Sequence, residues 1–400
     1  MKRAKRHGAA SKQNRRGKAV RGGAGIQGPL GQILRHAIQV EASDVHLELG
    51  GDRCRARYRV HGSLQEGGPK LTRAAAAAAI GMAKRLADLK PERSGVPRSG
   101  RIEWEPGERD FLVSVAPCVG GESVVFRHLL RAGLFRNLDQ LGLEESIVTT
   151  LRRWTARRNG LVIVSGLTGS GKATMFYALL QELNTPAVKI VAIEEPVYYR
   201  IEGINHIEVD SKQGPDYATA LRCALAQDAD LIAIGEVKNA ESAEVAFKAA
   251  FSGHQVLTVM HAEDGPETVE RLRDVGIEPK LITRGLVGVL SMRLVRKICD
   301  PCKVARQPTA AERATLLKGR AGGRFYRGKG CARCGGTGYR GRAAVFELFE
   351  LDDKFKALIL RGASVDALRR QARKSGIASL RDAALAKAKA GITTLSEALR

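Results

Sequence analysis

Three groups of residues have the types and spacing to do chemistry. The first is Gly166-Leu167-Thr168-Gly169-Ser170-Gly171-Lys172-Ala173-Thr174. Glycines at this spacing let successive backbone N–H groups converge on a phosphate, and a lysine there reaches the β- and γ-phosphates. One position departs from the pattern. A Ser or Thr whose hydroxyl ligates Mg²⁺ ordinarily follows the lysine, and here it is Ala173. The second group is Glu194 and Glu236, each set directly after an apolar run. In an open α/β sheet, ligands sit at the carboxyl ends of strands, so both carboxylates are expected near the phosphate loop. The third is Cys299-x-x-Cys302 with Cys331-x-x-Cys334, the all-thiolate pattern of a closed, tetrahedral structural zinc site.

These groups need elements to hold them. The β-branched run Leu161–Val164 enters the glycine-rich turn, and a helical pattern from Met175 to Leu183 leaves it. That helix would offer free N–H groups and the positive end of its dipole to a phosphate. Apolar runs at 189–193, 231–234 and 256–260 alternate with helical patterns at 217–226, 240–251 and 268–275. This alternation predicts a mostly parallel sheet covered on both faces. Residues 29–130 read as a small α/β domain, 131–143 as a linker, 144–298 as the core, 299–340 as the cysteine module and 341–400 as a mostly helical region. Thr394 and Glu397 are spaced as a capping box.

Four hundred residues with a net charge of +24 predict two or three domains. No apolar run approaches the ~20 residues of a membrane span, and no apolar segment follows the basic N-terminus, so a cytoplasmic chain is expected. Residues 1–28 hold most of the ten Lys and Arg found in the first forty positions, which contain no Asp or Glu. Two readings of this tail stay open: an arm for anionic membrane lipid or nucleic acid, and a disordered solubilising extension. Nucleic acid is not the expected partner of the whole chain, because no aromatic-rich basic groove or helix-turn-helix pattern is present. Cys54, Cys118 and Cys223 are isolated and read as buried small hydrophobes.

From Glu41 onward the motifs, in order and spacing, resemble the type II and type IV secretion-system ATPases. Ala42-Ser43-Asp44-Val45-His46 resembles the opening of that family's second N-terminal domain. Ile193-Glu194-Glu195-Pro196-Val197 resembles its Asp box and Gly235-Glu236-Val237-Lys238-Asn239 its Walker B segment. Gly253-His254 and Met260-His261-Ala262 resemble its His box, and Arg293 to Cys299 and Gly338 to Arg342 further signatures. Cys331 to Gly338 also fits the zinc repeat of DnaJ-type chaperones, but that family needs several copies and this chain has one.

The resemblance implies a RecA-like P-loop ATPase core with a small α/β N-terminal domain, assembled as a homo-hexamer that uses ATP, Mg²⁺ and structural Zn²⁺. It would drive an inner-membrane platform protein from the cytoplasmic face. It implies that Glu194 polarises the attacking water, Glu236 supports Mg²⁺, His254 and His261 sense the γ-phosphate, and Arg101 and Arg127 reach the nucleotide phosphates. The tetracysteine favours an assembly or secretion motor over a retraction motor, and the tail stands where the family has its first N-terminal domain. Several positions depart from the family pattern. Besides Ala173, Leu112 and Ala226 stand for arginines, Lys238-Asn239 for Arg-Asp, Met292 for Gln, Glu195 for Asp, and Arg98-Ser99 for Gln-Asp. The expectation is retained nucleotide binding with slowed hydrolysis. The alternative is a hydrolysis-impaired paralogue that regulates or co-assembles with an active motor.

Overall fold

The computed structural model describes residues 26–399, apart from 51–52, 91–94, 106–108, 120, 131–136, 210–213 and 317–323. Nearly all of the basic tail therefore lies outside the described residues. The chain divides into two compact units, residues 1–130 and 131–400.

The first unit runs α1 (Gly28–Gln39), β1 (Ala42–Gly50), β2 (Arg53–Val60), β3 (Ser63–Glu66), α2 (Arg73–Leu86), β4 (Arg98–Glu105), β5 (Arg109–Cys118) and β6 (Gly121–Leu130). Its strands form one antiparallel sheet in the order β3-β2-β1-β6-β5-β4. Strand residues alternate between faces. Val45, Leu47, Phe111, Val113, Val124 and Phe126 point one way and bury against Leu30, Ile33 and Leu34 of α1 and Ala76, Ile80 and Ala83 of α2. The other phase places Arg101, Leu112, Arg127 and Asp44 in one cross-strand row, each the register partner of the next.

The second unit opens with α3 (Glu145–Thr155), then β7 (Gly160–Ser165), α4 (Lys172–Leu183), β8 (Ile190–Glu194), β9 (Ile204–Glu208), α5 (Tyr217–Leu225), β10 (Leu231–Val237), α6 (Ala240–Phe251) and β11 (Gln255–Met260). It continues with α7 (Gly265–Asp274), α8 (Pro279–Gly285), β12 (Leu286–Ile298), β13 (Lys303–Arg306), α9 (Ala310–Leu316), β14 (Phe325–Gly328), β15 (Tyr339–Glu350), α10 (Asp353–Leu360), α11 (Val365–Lys374), α12 (Leu380–Lys389) and α13 (Leu395–Leu399). Seven strands form the order β15-β12-β7-β11-β10-β8-β9. All neighbours are parallel except β12 and β15. Leu161, Ile163, Val191, Ile193, Ile232 and Ile234 pack into one cluster with α5, α6 and α7. Their alternates Val162, Val164, Ala192 and Ala233 are equally buried, so the sheet is covered on both faces as a parallel sheet requires.

Two differences from the sequence reading stand out. Residues 339–350 form a long strand rather than helix. Their Ala, Glu and Leu favour helix, but pairing along ten register positions with β12 overrides that weak preference. The capping box of α13 is half made: Glu397 N–H donates to Thr394 Oγ1 at 3.3 Å, while the Glu397 carboxylate turns away to Arg296. No helix among the described residues is long and apolar enough to cross a membrane.

Candidate functional site

The phosphate loop joins β7 to α4 at the carboxyl end of the sheet. Gly169 and Gly171 adopt φ of +79° and +97°, the left-handed region that glycine enters without steric cost. Gly166 is needed for space: a Cβ there would lie 2.4 Å from both Met292 O and Ser170 Oγ. The cradle fits an anion. The first turn of α4 has N–H groups without intrahelical acceptors. Ser170 is buried, and its hydroxyl has no hydrogen-bond partner among the described residues. Lys172 Nζ folds over the loop, donating to Gly166 O and, at 3.0 Å, to Leu167 O. Burial pulls the Lys172 amine below its ordinary pKa, and the negative charge of Glu236 pulls it back up. Ala173 is exposed and Thr174 only partly so. Successive helical residues point about 100° apart, so the Thr174 hydroxyl does not replace the missing one.

A bulge aims Glu236. On β10, Ile234 pairs with Thr258 of β11 and Val237 with Met260, so one extra residue is accommodated around Gly235-Glu236. Such bulges redirect side chains next to sites. Gly235 packs against Glu194, where a Cβ would sit 3.2 Å from Glu194 Cγ. Glu194 itself is 2% exposed. Tyr177 Oη donates to its Oε2, and His206 Nδ1 lies 2.9 Å from its Oε1. The next residue, Glu195, is exposed and meets Lys238 Nζ at 3.4 Å, tying the segment after β8 to the end of β10. Neither Tyr177 nor His206 was legible as a site residue: a Tyr on an apolar helix face and a lone His in a short strand carry no motif signal.

The expected histidines part company. His261 follows Met260, whose partner across the sheet is Ser165, the residue before the loop. His254 precedes Gln255, paired with Gly160 at the start of β7. The structure thus brings Lys172, Glu236, Glu194 and His261 to the carboxyl end of the strands and His254 to the opposite end.

In the first unit, Arg101 is held by the buried Asp110, and Arg127 Nε donates to Asp44 Oδ1 at 3.0 Å. Leu112 lies between the two arginines in the row.

The four cysteines converge: their sulfurs lie within 4.8 Å of one another. Measured separations are 3.8 Å for Cys299–Cys331, 4.0 Å for Cys302–Cys334 and 3.7 Å for Cys331–Cys334. Four thiolates at ~2.3 Å from a tetrahedral Zn²⁺ stand about 3.8 Å apart, so the cage has the dimensions of that ion. Cys331 N–H and Gly338 N–H each donate to Cys334 Sγ at 3.2 Å. Burial pushes the Cys334 thiol up, yet these donors bring it down to about 6, while burial and the neighbouring thiols push Cys299 up to about 12. Gly328 and Gly338 let the two segments flanking the second knuckle close on each other, since a Cβ on Gly328 would fall 2.0 Å from Gly338 O.

Comparison with known proteins places the chain in a family. A family profile described as "Type II/IV secretion system protein" matches residues 21–400. The chain is 36% identical over 373 residues to the type IV pilus assembly ATPase PilB of Thermus thermophilus, covering 92% of this chain and 42% of that one. It is 37% and 38% identical to the type II secretion system protein E of Xanthomonas campestris and of Pseudomonas aeruginosa, again over 92% of this chain and over 66% and 74% of theirs. It thus spans less than half of the first relative and just under two thirds of the second. Among solved structures, the Legionella pneumophila ATPase DotB superposes with a TM-score of 0.67 at 20% identity, covering 93% of this chain and 95% of that one. The pilus retraction motor PilT with bound ADP gives 0.65 at 22%, covering 94% and 96%. These two likenesses speak to the fold, a RecA-like P-loop core with a small α/β unit. On the family profile and the extent of the sequence matches, the chain belongs to the type II/IV secretion system protein family.

Proposed function

We propose that this chain is an ATP-hydrolysing motor that works as a hexamer on an inner-membrane platform protein, in type II secretion or type IV pilus assembly. The observation that carries this reading is the convergence of Lys172, Glu236 and His261 at one end of the sheet, with Lys172 and Glu236 close enough to feel each other's charge. Phosphoryl transfer asks mainly for positioning and electrostatic stabilisation. In this reading the loop and Lys172 hold the nucleotide phosphates, Glu236 supports Mg²⁺, Glu194 orients the water and His261 lies beside the γ-phosphate. Mg²⁺ would be held through Glu236 and would supply charge neutralisation at the phosphates, with Ala173 offering it no side-chain oxygen. His254 stands outside this group in a single copy of the chain. Arg101 and Arg127 are proposed nucleotide contacts, tested by the affinity of R101A and R127A variants for ATP. The cysteine cage is proposed to hold Zn²⁺, and residues 1–28 to touch an anionic membrane surface.

The second reading is a hydrolysis-impaired paralogue, favoured by the exposed methyl of Ala173 at the metal-ligand position. One experiment separates the two: steady-state ATP turnover of the purified full chain and of Ala173→Thr. Turnover of ~1–10 s⁻¹ in the unmodified chain, unchanged by the substitution, supports the motor and removes the impairment. Negligible turnover with intact nucleotide binding supports the paralogue, and a clear gain in Ala173→Thr locates the defect.

A further inference from the structure

Glu194 ends β8 inside the protein, with a side chain 3% exposed beside a His206 side chain 7% exposed. Among the described residues each oxygen of its carboxylate has one side-chain hydrogen-bond partner, Tyr177 Oη on Oε2 and His206 Nδ1 on Oε1 at 2.9 Å. The direction of both bonds follows from the backbone. Ile201 N–H donates to His206 Nε2 at 3.1 Å. A backbone N–H can only donate, so Nε2 must present a lone pair and the ring proton sits on Nδ1, aimed at Glu194. Tyr199 N–H donates to Tyr177 Oη at 3.3 Å, which leaves the phenol's own proton for Oε2. Two N–H groups of one short segment thus force two donors onto one carboxylate, and an ionised carboxylate, which is acceptor-only, satisfies both.

We infer that Tyr177 and His206 are positioning residues that hold the Glu194 carboxylate in one orientation for its action on the attacking water. A carboxylate has about four lone-pair sites, so two donors leave room for a water. The clamp also links the parts that must act together. Tyr177 lies on α4, five residues beyond Lys172, so the helix that begins at the phosphate loop grips the carboxylate at the end of β8. Burial and the charge of Glu194 hold the Tyr177 hydroxyl well above its ordinary pKa, keeping it a donor. A network kept for stability alone has a cheaper form, since apolar replacement of buried ionic groups is often neutral or stabilising.

The inference rests on the proposed role of Glu194, and the test separates the two. ATP turnover and affinity for a fluorescent ATP analogue are measured on the full chain, in unmodified and Ala173→Thr backgrounds. The variants are Glu194→Gln, Tyr177→Phe, His206→Ala and His206→Gln. Glu194→Gln should abolish turnover. Tyr177→Phe and His206→Ala should each lower kcat ~10- to 100-fold, as misplacement of a catalytic group does, with KM and analogue affinity unchanged. His206→Gln, whose amide both donates and accepts, should recover most of the loss. Selective ¹⁵N-histidine labelling should show His206 protonated on Nδ1 and not on Nε2. If Glu194→Gln is inactive while Tyr177→Phe and His206→Ala turn over normally, or if His206 carries its proton on Nε2, the clamp is refuted and the role of Glu194 stands. Normal turnover in Glu194→Gln overturns the role of Glu194 itself.

Discussion

His254 and His261 stand at opposite ends of β11, separated by its six residues Gln255–Met260. At about 3.3 Å per strand residue this is roughly 20 Å. Within one copy of the chain only His261 shares an end of the sheet with the phosphate loop. The proposed reading therefore predicts unequal effects: His261→Ala should lower ATP turnover at least ~10-fold, and His254→Ala by much less. Comparable losses would mean that the two ends of β11 serve sites on different copies in an assembly. Turnover per site, measured with both variants at several protein concentrations, decides this.

Arg296 and Glu397 predict where the C-terminus matters. The buried Glu397 carboxylate accepts from Arg296 N–H at 2.9 Å and from its guanidinium at 2.8 Å, and Thr393 Oγ1 returns a bond to Arg296 O at 2.7 Å. Arg293 donates to the carbonyls of Glu397 and Ala398. Removing one member of such a pair leaves the other charge poorly solvated. Because Arg296 is about one-fifth exposed, the cost should fall at the low end for buried pairs, about 3 kcal/mol. Glu397→Ala should lower the denaturation midpoint accordingly, and a change under ~0.5 kcal/mol would show that the pair contributes nothing net.

What could be read in advance was whatever chemistry is local in sequence. Gly166 to Lys172 specify their own turn, and Cys-x-x-Cys pairs specify their own knuckles, so both were legible from spacing. Side-chain aim was not. Glu236 depends on a bulge set by pairing with β11, and Glu194 is turned by Tyr177 and His206, which lie 17 positions before it and 12 after. Arg101, Leu112 and Arg127 were singled out separately. That they form one cross-strand row depends on the registers of β4, β5 and β6, which no motif states. Strand β15 was missed because its pairing with β12, not its intrinsic preference, decides its conformation.

Glu347 gives the fold a pH dependence. It is 6% exposed, and burial raises its carboxyl to about 7 from an ordinary 4.5, opposed by the Gly265 N–H donor, which lies 3.1 Å from Oε1. The folded state therefore holds a proton there that the unfolded chain releases above pH 4.5. Stability is full below about 4.5 and falls as pH rises through about 7, by at most about 3 kcal/mol. Glu347→Gln keeps the acceptor for Gly265 and cannot ionise. Its melting temperature should exceed that of the unmodified chain at pH 8, and the gap should close by pH 5. Parallel melting curves across that range would dismiss the ionisation cost.

The cysteine cage makes the last prediction. Its sulfurs already have the spacing of a tetrahedral ion, and Cys299 directly follows Ile298, the last residue of β12. A metal bound there would be coupled to the strand that also carries Arg293 and Arg296, so its loss should spread beyond the knuckles. The purified chain should contain one zinc per copy, and Cys334→Ser should contain almost none. A strong chelator should lower the melting temperature of the unmodified chain, because affinity for the ion is folding free energy. It should also open the β13 and β14 strands, Lys303–Arg306 and Phe325–Gly328, to proteolysis, and leave Cys334→Ser unaffected. A chain free of metal that melts at the same temperature with and without chelator would make the four thiols a packed cluster and nothing more.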